Sequence, residues 1–117
     1  MNQPADYRGR PLRLENEIDY APDAIVSKTL LKNPAGNLTL FAFDAGQELS
    51  EHTSPYDAVL QVVSGQAQVE IAGEPREISA GQWIIMPANI PHNVVAAERF
   101  KMLLVMIRGR PPEAPPA

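Results

Sequence analysis

Apolar and polar residues alternate with a period of two along much of this chain, which is the pattern of half-buried β-strands. Residues 66–73 (QAQVEIAG) place Ala67, Val69 and Ile71 on one face and polar side chains on the other. A helix does not fit there, because positions four apart mix polar with apolar residues. Residues 37–44 (NLTLFAFD) alternate in the same way and also predict a strand.

Two further segments are apolar on both faces, residues 58–63 (AVLQVV) and 100–107 (FKMLLVMI). Strands of this kind are usually covered on both sides. In the first segment the reverse face carries Val59, Gln61 and Val63, and we expect a partner surface to cover it. Phe41 and Phe43 are expected to lie on a face covered in the same way.

Turn signals separate these strands. Asn33-Pro34-Ala35-Gly36 predicts a hairpin turn, because proline fixes φ and glycine accepts a positive φ. About nine short strands with turns roughly every eight to twelve residues indicate a sandwich or a barrel. The prediction is an all-β fold with little or no helix.

The domain organisation follows from the same pattern. Residues 1–20 predict an N-terminal arm, polar and loose up to Arg10, with a possible edge strand between Leu12 and Tyr20. Residues 21–108 form the barrel domain. The proline-rich tail, residues 109–117, is expected to be disordered or extended, because it has little apolar surface to bury.

Composition narrows the class of function. The net charge of −4 over 117 residues argues against a nucleic-acid partner, because phosphate contacts need a basic face. No apolar run is long enough for a membrane span, and the first residues lack a signal-peptide core, so a cytoplasmic location is expected. Without cysteine, the chain has no disulfide and no thiolate metal site.

The chemistry is concentrated in two stretches, residues 46–65 (GQELSEHTSPYDAVLQVVSG) and 81–96 (GQWIIMPANIPHNVVA). They contain His52 and His92, and the chain has no other histidine. Strands so far apart bring two imidazoles to one inner wall only if the sheet closes on itself.

These stretches resemble the two motifs of the cupin family. The first motif, Gly-X5-His-X-His-X3–4-Glu-X6-Gly, matches at Gly46, His52 and Gly65. The second, Gly-X5-Pro-X-Gly-X2-His-X3-Asn, matches at three positions and has Asn89 at its second glycine place; the three are Gly81, Pro87 and His92. The resemblance implies a double-stranded β-helix, the jelly-roll barrel of RmlC-like cupins, and a homodimer.

The departures from the motifs concern the usual metal ligands. Ser54 stands at the second histidine place, Ala58 at the glutamate place and Ala96 at the final asparagine place. His52 and His92 therefore remain as candidate ligands for a divalent metal such as zinc, iron, nickel or manganese, in a weak, open site. The alternative is that both are hydrogen-bonded polar residues in a cavity that has lost its metal.

Strand parity predicts the rest of the pocket. Residues that share strand parity with the two histidines predict a roomy, apolar cavity for a small molecule, and Ser54 adds a hydroxyl. The methionines could form adaptable walls, or they could simply pack in the core. The predicted lining is His52, Ser54, Ala58, Leu60, Val62, Met86, His92, Val94 and Ala96, with Met102 and Met106 as further candidates.

Three acidic residues near His52 are expected outside this pocket. Asp57 is a turn or surface carboxylate, because a shift of one residue sends a strand side chain to the opposite face. Glu48 and Glu51 are expected to be solvated, although either could serve as a base if it reached the cavity mouth. Ser54 lacks the glycine-rich surroundings of a hydrolase nucleophile.

Three functions remain open. The first is binding of a small, partly apolar molecule, with the two imidazoles as polar handles or as general acid and base. The second is a metal-dependent oxygenase or isomerase with a two-histidine site. The third is an inert barrel that acts through its dimer or protein-binding surface.

Overall fold

Nine β-strands make up most of residues 6–109, the part of the chain that the computed structural model describes. In chain order they are β1 (Ile25–Asn33), β2 (Gly36–Phe43), β3 (Glu48–His52), β4 (Asp57–Ser64), β5 (Gln66–Ile71), β6 (Glu74–Ser79), β7 (Trp83–Met86), β8 (His92–Val95) and β9 (Phe100–Ile107). The helical element of the described chain is a short 3-10 helix, Leu14–Asn16. The prediction of an all-β chain with little or no helix is confirmed.

The strands form two antiparallel sheets. Sheet A has the order β1-β2-β9-β4-β7, and sheet B has the order β3-β8-β5-β6. Apolar side chains from the inner faces of both sheets form the main core, which includes Leu60, Val69, Val94 and Phe100. This is the predicted jelly-roll barrel, in which the apolar inner faces of the two sheets pack against each other and are buried.

The predicted hairpin joins β1 and β2. The Asn33 side-chain oxygen accepts the backbone N–H groups of Ala35 at 2.8 Å and Gly36 at 3.2 Å. Glycine is required at position 36 because a Cβ there would overlap the carbonyl oxygen of Met106 on β9. The turn therefore fixes the register of β2 against both of its neighbours.

Phe41 and Phe43 lie on the inner face of sheet A, so their predicted placement on an outer, partner-covered face is wrong. Phe43 is fully buried and stacks on Phe100, with 4.5 Å between ring centroids. The opposite face of β2 presents Leu40 and Ala42, which are also fully buried. Because both faces of β2 are apolar and covered, alternation alone could not tell which one faced the barrel.

The outer face of β2 is covered by the N-terminal arm of the same chain. Ile18 is buried against Leu40 and Ala42 in a second apolar cluster. Lys28 and Lys101 donate to arm carbonyls, those of Glu17 at 2.9 Å and Glu15 at 2.6 Å. Two lysines of sheet A therefore satisfy carbonyl groups of the arm.

The possible edge strand between Leu12 and Tyr20 does not form. This segment contains the 3-10 helix and lies across sheet A, because its apolar residues are buried on that face rather than paired along an edge. Of the predicted loose arm, residues 6–10 form a turn closed by the Arg10 N–H and the Tyr7 carbonyl at 3.3 Å. Residues 1–5 and most of the predicted disordered tail (110–117) lie outside the described residues.

No helix within residues 6–109 is long and apolar enough to cross a membrane.

Candidate functional site

The two histidines meet on the inner wall of sheet B. His52 ends β3 and His92 begins β8, and the two are register partners in the antiparallel pair. Their ring centroids are 4.4 Å apart and the ring planes are inclined at 68°. The sequence analysis attributed such a meeting to a sheet that closes on itself. In the structure the two imidazoles are in contact because β3 and β8 are neighbours in sheet B.

A β-bulge in β3 directs His52 into the barrel. Leu49 pairs with Val94, whereas His52 pairs with His92, so three steps along β3 match two steps along β8. An extra residue reverses the strand's parity. Leu49 and His52 would otherwise point to opposite faces, but here both line the same cavity.

Both rings are held by carbonyl groups two residues earlier in the chain. Nδ1 of His52 lies 2.7 Å from the Ser50 carbonyl oxygen, and Nδ1 of His92 lies 3.1 Å from that of Ile90. A carbonyl only accepts, so Nδ1 carries the proton in each neutral ring. Nε2 then keeps its lone pair, and within residues 6–109 it has no hydrogen-bond partner.

The two imidazoles differ in exposure. His92 is 6% exposed, whereas His52 lies at the surface. Burial lowers the pKa of His92 below its usual value near 6.5, the Ile90 carbonyl acts in the opposite direction, and the neighbouring His52 ring adds to the lowering. His52 therefore forms the outer edge of the site and His92 its inner wall.

Behind the imidazoles is a small, largely apolar cavity of about 100 Å³. It is lined by Leu49, His52, Ser54, Ala58, Met86, His92, Val94, Met102, Leu104 and Met106. Six of the nine predicted lining residues are among these. It is much smaller than the roomy pocket expected from the loss of the carboxylate and the amide.

Leu60, Val62 and Ala96 are not in the cavity wall. All three have the predicted parity and are fully buried, but they belong to the packed core. Parity determines the face of a sheet on which a residue lies and leaves its depth along the barrel undetermined. Leu49 and Leu104 were missed, the first because of the bulge and the second because its strand is apolar on both faces.

Methionines occupy the space around the two lost ligand places. Ala58 of β4 has Met86 of β7 and Met106 of β9 as its cross-strand partners. The Ser54 hydroxyl lies 3.8 Å from the sulfur of Met106. Two methionines therefore flank the glutamate place, and the sulfur of Met106 also lies next to the second histidine place.

The nearby acidic residues lie outside the cavity. Asp57 accepts the backbone N–H of Ala88 at 2.8 Å, and Glu48 and Glu51 are exposed on β3. Within residues 6–109, no three His, Asp or Glu side chains come together at one point. The polar groups that line the cavity are thus two imidazoles and one hydroxyl.

Comparison with known proteins shows to which family this chain is similar. A family model described as Cupin domain matches residues 39–108. A protein from Streptomyces coelicolor, described as uncharacterised, is 32% identical over 76 residues, covering 64% of this chain and 70% of its own.

Two solved structures are also similar. A conserved protein of unknown function from Streptococcus pyogenes has a TM-score of 0.82 and 38% identity, covering 89% of this chain and 91% of its own. A cupin 2 conserved barrel domain protein from Leptotrichia buccalis has a TM-score of 0.77 and 35% identity, covering 80% of this chain and 45% of its own. With the family match over residues 39–108 and both motif histidines on one inner wall, the chain belongs to the cupin family.

Proposed function

We propose that this cupin binds a small, partly apolar molecule in the barrel, with His52 and His92 as its polar handles. The observation that carries the proposal is the pair of imidazoles at the mouth of an otherwise apolar cavity, each with Nε2 unpaired among the described residues. A cavity with a few convergent polar groups in an apolar wall is the usual form of a ligand site. The apolar part of the ligand would enter first and its polar atom would stay at the imidazoles.

The hydrogen bonds of the two rings determine whether the polar atom of the ligand must donate or accept a hydrogen bond. With Nδ1 donating to the Ser50 and Ile90 carbonyls, Nε2 of each neutral ring is an acceptor. The ligand atom must then be a donor, such as a hydroxyl or an amine. A carboxylate would place lone pairs against lone pairs.

The size of the cavity limits the buried part of the ligand. Pockets for drug-sized molecules measure roughly 300–1,000 Å³, whereas this cavity is about 100 Å³. The cavity therefore holds only a short chain or a similarly small group. A longer ligand would extend past His52, which is exposed.

The donor set fits poorly with the divalent metal that many cupins use. Ser54 and Ala58 stand at two of the four usual ligand places, and a hydroxyl and a methyl group are poor substitutes for an imidazole and a carboxylate. The two remaining imidazoles have their Nδ1 atoms oriented as in metal sites, where carbonyls often hold the ring. This orientation serves a hydrogen-bonded ligand equally well, so it does not by itself favour a divalent metal.

We also propose that the outer face of sheet A forms the interface of a homodimer. Val59 lies between Ile85 and Val105 on this face, and Trp83 and Ile85 are 58% and 53% exposed. The N-terminal arm covers the part of this face that β2 forms, whereas Val59, Trp83 and Ile85 lie outside the cluster that the arm covers. Apolar strands exposed side by side favour association with a second sheet.

The cavity argues against the inert-barrel alternative, because side chains do not fill the barrel completely.

Nuclear magnetic resonance of the metal-free full chain tests the binding proposal. The probe is 1-butanol, whose hydroxyl donates and whose alkyl chain has the size of the cavity. We expect it to shift the Nε2 signals of both histidines and the methyl signals of Met86 and Met106. Butyrate, which has the same number of carbon atoms but no donor, should shift them less.

Variants connect these shifts to the site. His92→Ala should abolish the alcohol-dependent shift of the Met106 methyl group, whereas Glu51→Gln, an exposed change one residue from His52, should preserve it. The proposal is overturned if 1-butanol shifts neither imidazole, or if butyrate and 1-butanol act equally.

A further inference from the structure

The two places at which this cupin lacks the usual ligands share one neighbouring methionine, Met106. The Ser54 hydroxyl lies 3.8 Å from Sδ of Met106. Ala58, at the glutamate place, is the register partner of Met106 on one side and of Met86 on the other. Nitrogen and oxygen donors are thus replaced by thioethers that approach from the adjacent strands.

The thioethers and the imidazoles face the same small space. His52 and His92 extend from sheet B, Met86 and Met106 from sheet A, and all four line the cavity of about 100 Å³. The two rings are in contact, and their Nε2 atoms have no partner within residues 6–109. Donors from both sheets therefore line one small cavity.

The chemistry of these donors selects the metal. Thioethers are soft ligands that favour Cu(I), imidazole suits copper as well as zinc, and hard divalent ions prefer carboxylates and water. No carboxylate lines the cavity in the described part of the chain. We propose that His52, His92 and Met106, with Met86 beside them, form a Cu(I) site. This site uses the same two imidazoles as the proposed ligand site and adds the thioethers of sheet A as donors.

Packing is the competing explanation for the methionines, since their flexible side chains fill gaps in cores. The substitution Met106→Leu separates the two explanations. Leucine keeps the apolar volume and usually costs little stability, but it has no donor atom. Leu60→Ile is the control for packing, because Leu60 is fully buried in the core two residues from Ala58 but is not in the cavity wall, and the exchange conserves volume.

The test is an anaerobic titration of the full chain with Cu(I) in competition with a chromophoric Cu(I) chelator. We expect one Cu(I) per chain and a sulfur signal in the copper X-ray absorption spectrum. Loss of groups that only support a ligand typically weakens metal binding by about 10–100-fold. Met106→Leu, which removes a ligand itself, should weaken it at least about tenfold and remove or reduce the sulfur signal. His52→Ala and His92→Ala should weaken it similarly, and Leu60→Ile should not.

The proposal is overturned if the chelator removes all the copper, if Met106→Leu binds Cu(I) as tightly as the parent, or if Leu60→Ile weakens binding as much as Met106→Leu does. These failures are distinct from failure of the binding proposal, which is tested with 1-butanol on metal-free protein. Copper binding without an alcohol response would overturn only the small-molecule proposal. An alcohol response without copper binding would overturn only the copper site.

Discussion

Asn89 donates its backbone N–H to the carbonyl oxygen of Ser54 across 2.7 Å, which ties together the loops of the two cupin motifs. Asn89 has a φ of 66°, in the left-handed region, as expected at a place where the family has glycine. The bond joins the loop that follows His52 to the turn that precedes His92. The conformation of Asn89 therefore helps to position the two imidazoles.

Substitution of Asn89 should reveal this role. Asn89→Gly should be nearly neutral, because glycine takes positive φ without strain. Asn89→Ala should cost about 1 kcal/mol in the free energy of unfolding, because a Cβ without a local polar group is unfavourable there. Urea unfolding measures the cost. Equal stability of the two variants would show that the backbone conformation is unstrained or able to relax.

A second prediction concerns Ala58, the place at which many cupins have glutamate. Ala58 is 3% exposed between two methionines, so Ala58→Glu should lower the free energy of unfolding by about 1–3 kcal/mol without metal. A carboxylate beside His52 and His92 provides a third hard or borderline ligand for a divalent ion. Manganese or zinc should therefore raise the melting temperature of this variant more than that of the parent.

Ala58→Gln is the control for that prediction, since it has nearly the same size and no charge. A metal whose free concentration is 100 times its Kd stabilises the folded protein by about 2.7 kcal/mol, which thermal unfolding detects readily. The idea that Ala58 lies at a ligand place is contradicted if metal stabilises the glutamine variant as much as the glutamate variant.

The sequence predicted the fold and the two imidazoles because both depend on short-range patterns. Alternation revealed the strands, and the spacing of glycine, proline and histidine revealed the motifs. The methionines around Ala58 could be assigned to the pocket but not placed beside it. Their proximity depends on the order of β7, β4 and β9 in sheet A, which no local pattern encodes.

Other errors have equally specific causes. The bulge between Leu49 and His52 changes parity without a proline or glycine to signal it. Parity also gave Leu60 the same expected place as Ala58, although the two differ in depth. The covering of Leu40 by Ile18 depends on a contact between segments more than twenty residues apart, which periodicity does not report.

A third prediction concerns acid stability. The carboxylate of Asp44 accepts hydrogen bonds from Nε of Arg99 and from the backbone N–H of Asp23, both at 2.7 Å. The Arg99 hydrogen bond is the main cause that lowers the pKa of Asp44 below 3.8, and the Asp23 N–H adds to it. Because the folded state binds this proton less tightly than the unfolded state, the stability is present above pH 3.8 and is lost as pH falls through the folded-state pKa.

Urea unfolding between about pH 7 and about pH 2.5 checks this sign. Asp44→Asn should be less stable than the parent at neutral pH, and the difference should shrink as the solution is acidified. Asp19→Asn is the control, because the Asp19 side chain has no hydrogen bond or ion pair within residues 6–109. A difference for Asp44→Asn that stays constant with pH would contradict the role of the charge.

The final prediction tests the proposed dimer through the outer face of sheet A. Ile85 is 53% exposed beside Val59. Lysine at position 85 would bury a charge in an interface on this face, so Ile85→Lys should raise the dimer Kd at least about thirty-fold, or about 2 kcal/mol. Leu31→Lys provides a control at the far edge of the same sheet, on β1. Analytical ultracentrifugation should find a dimeric parent, a dimeric Leu31→Lys variant and a largely monomeric Ile85→Lys variant. A monomeric parent, or equal dissociation of both variants, would rule out this interface, and the apolar face would then require a different partner.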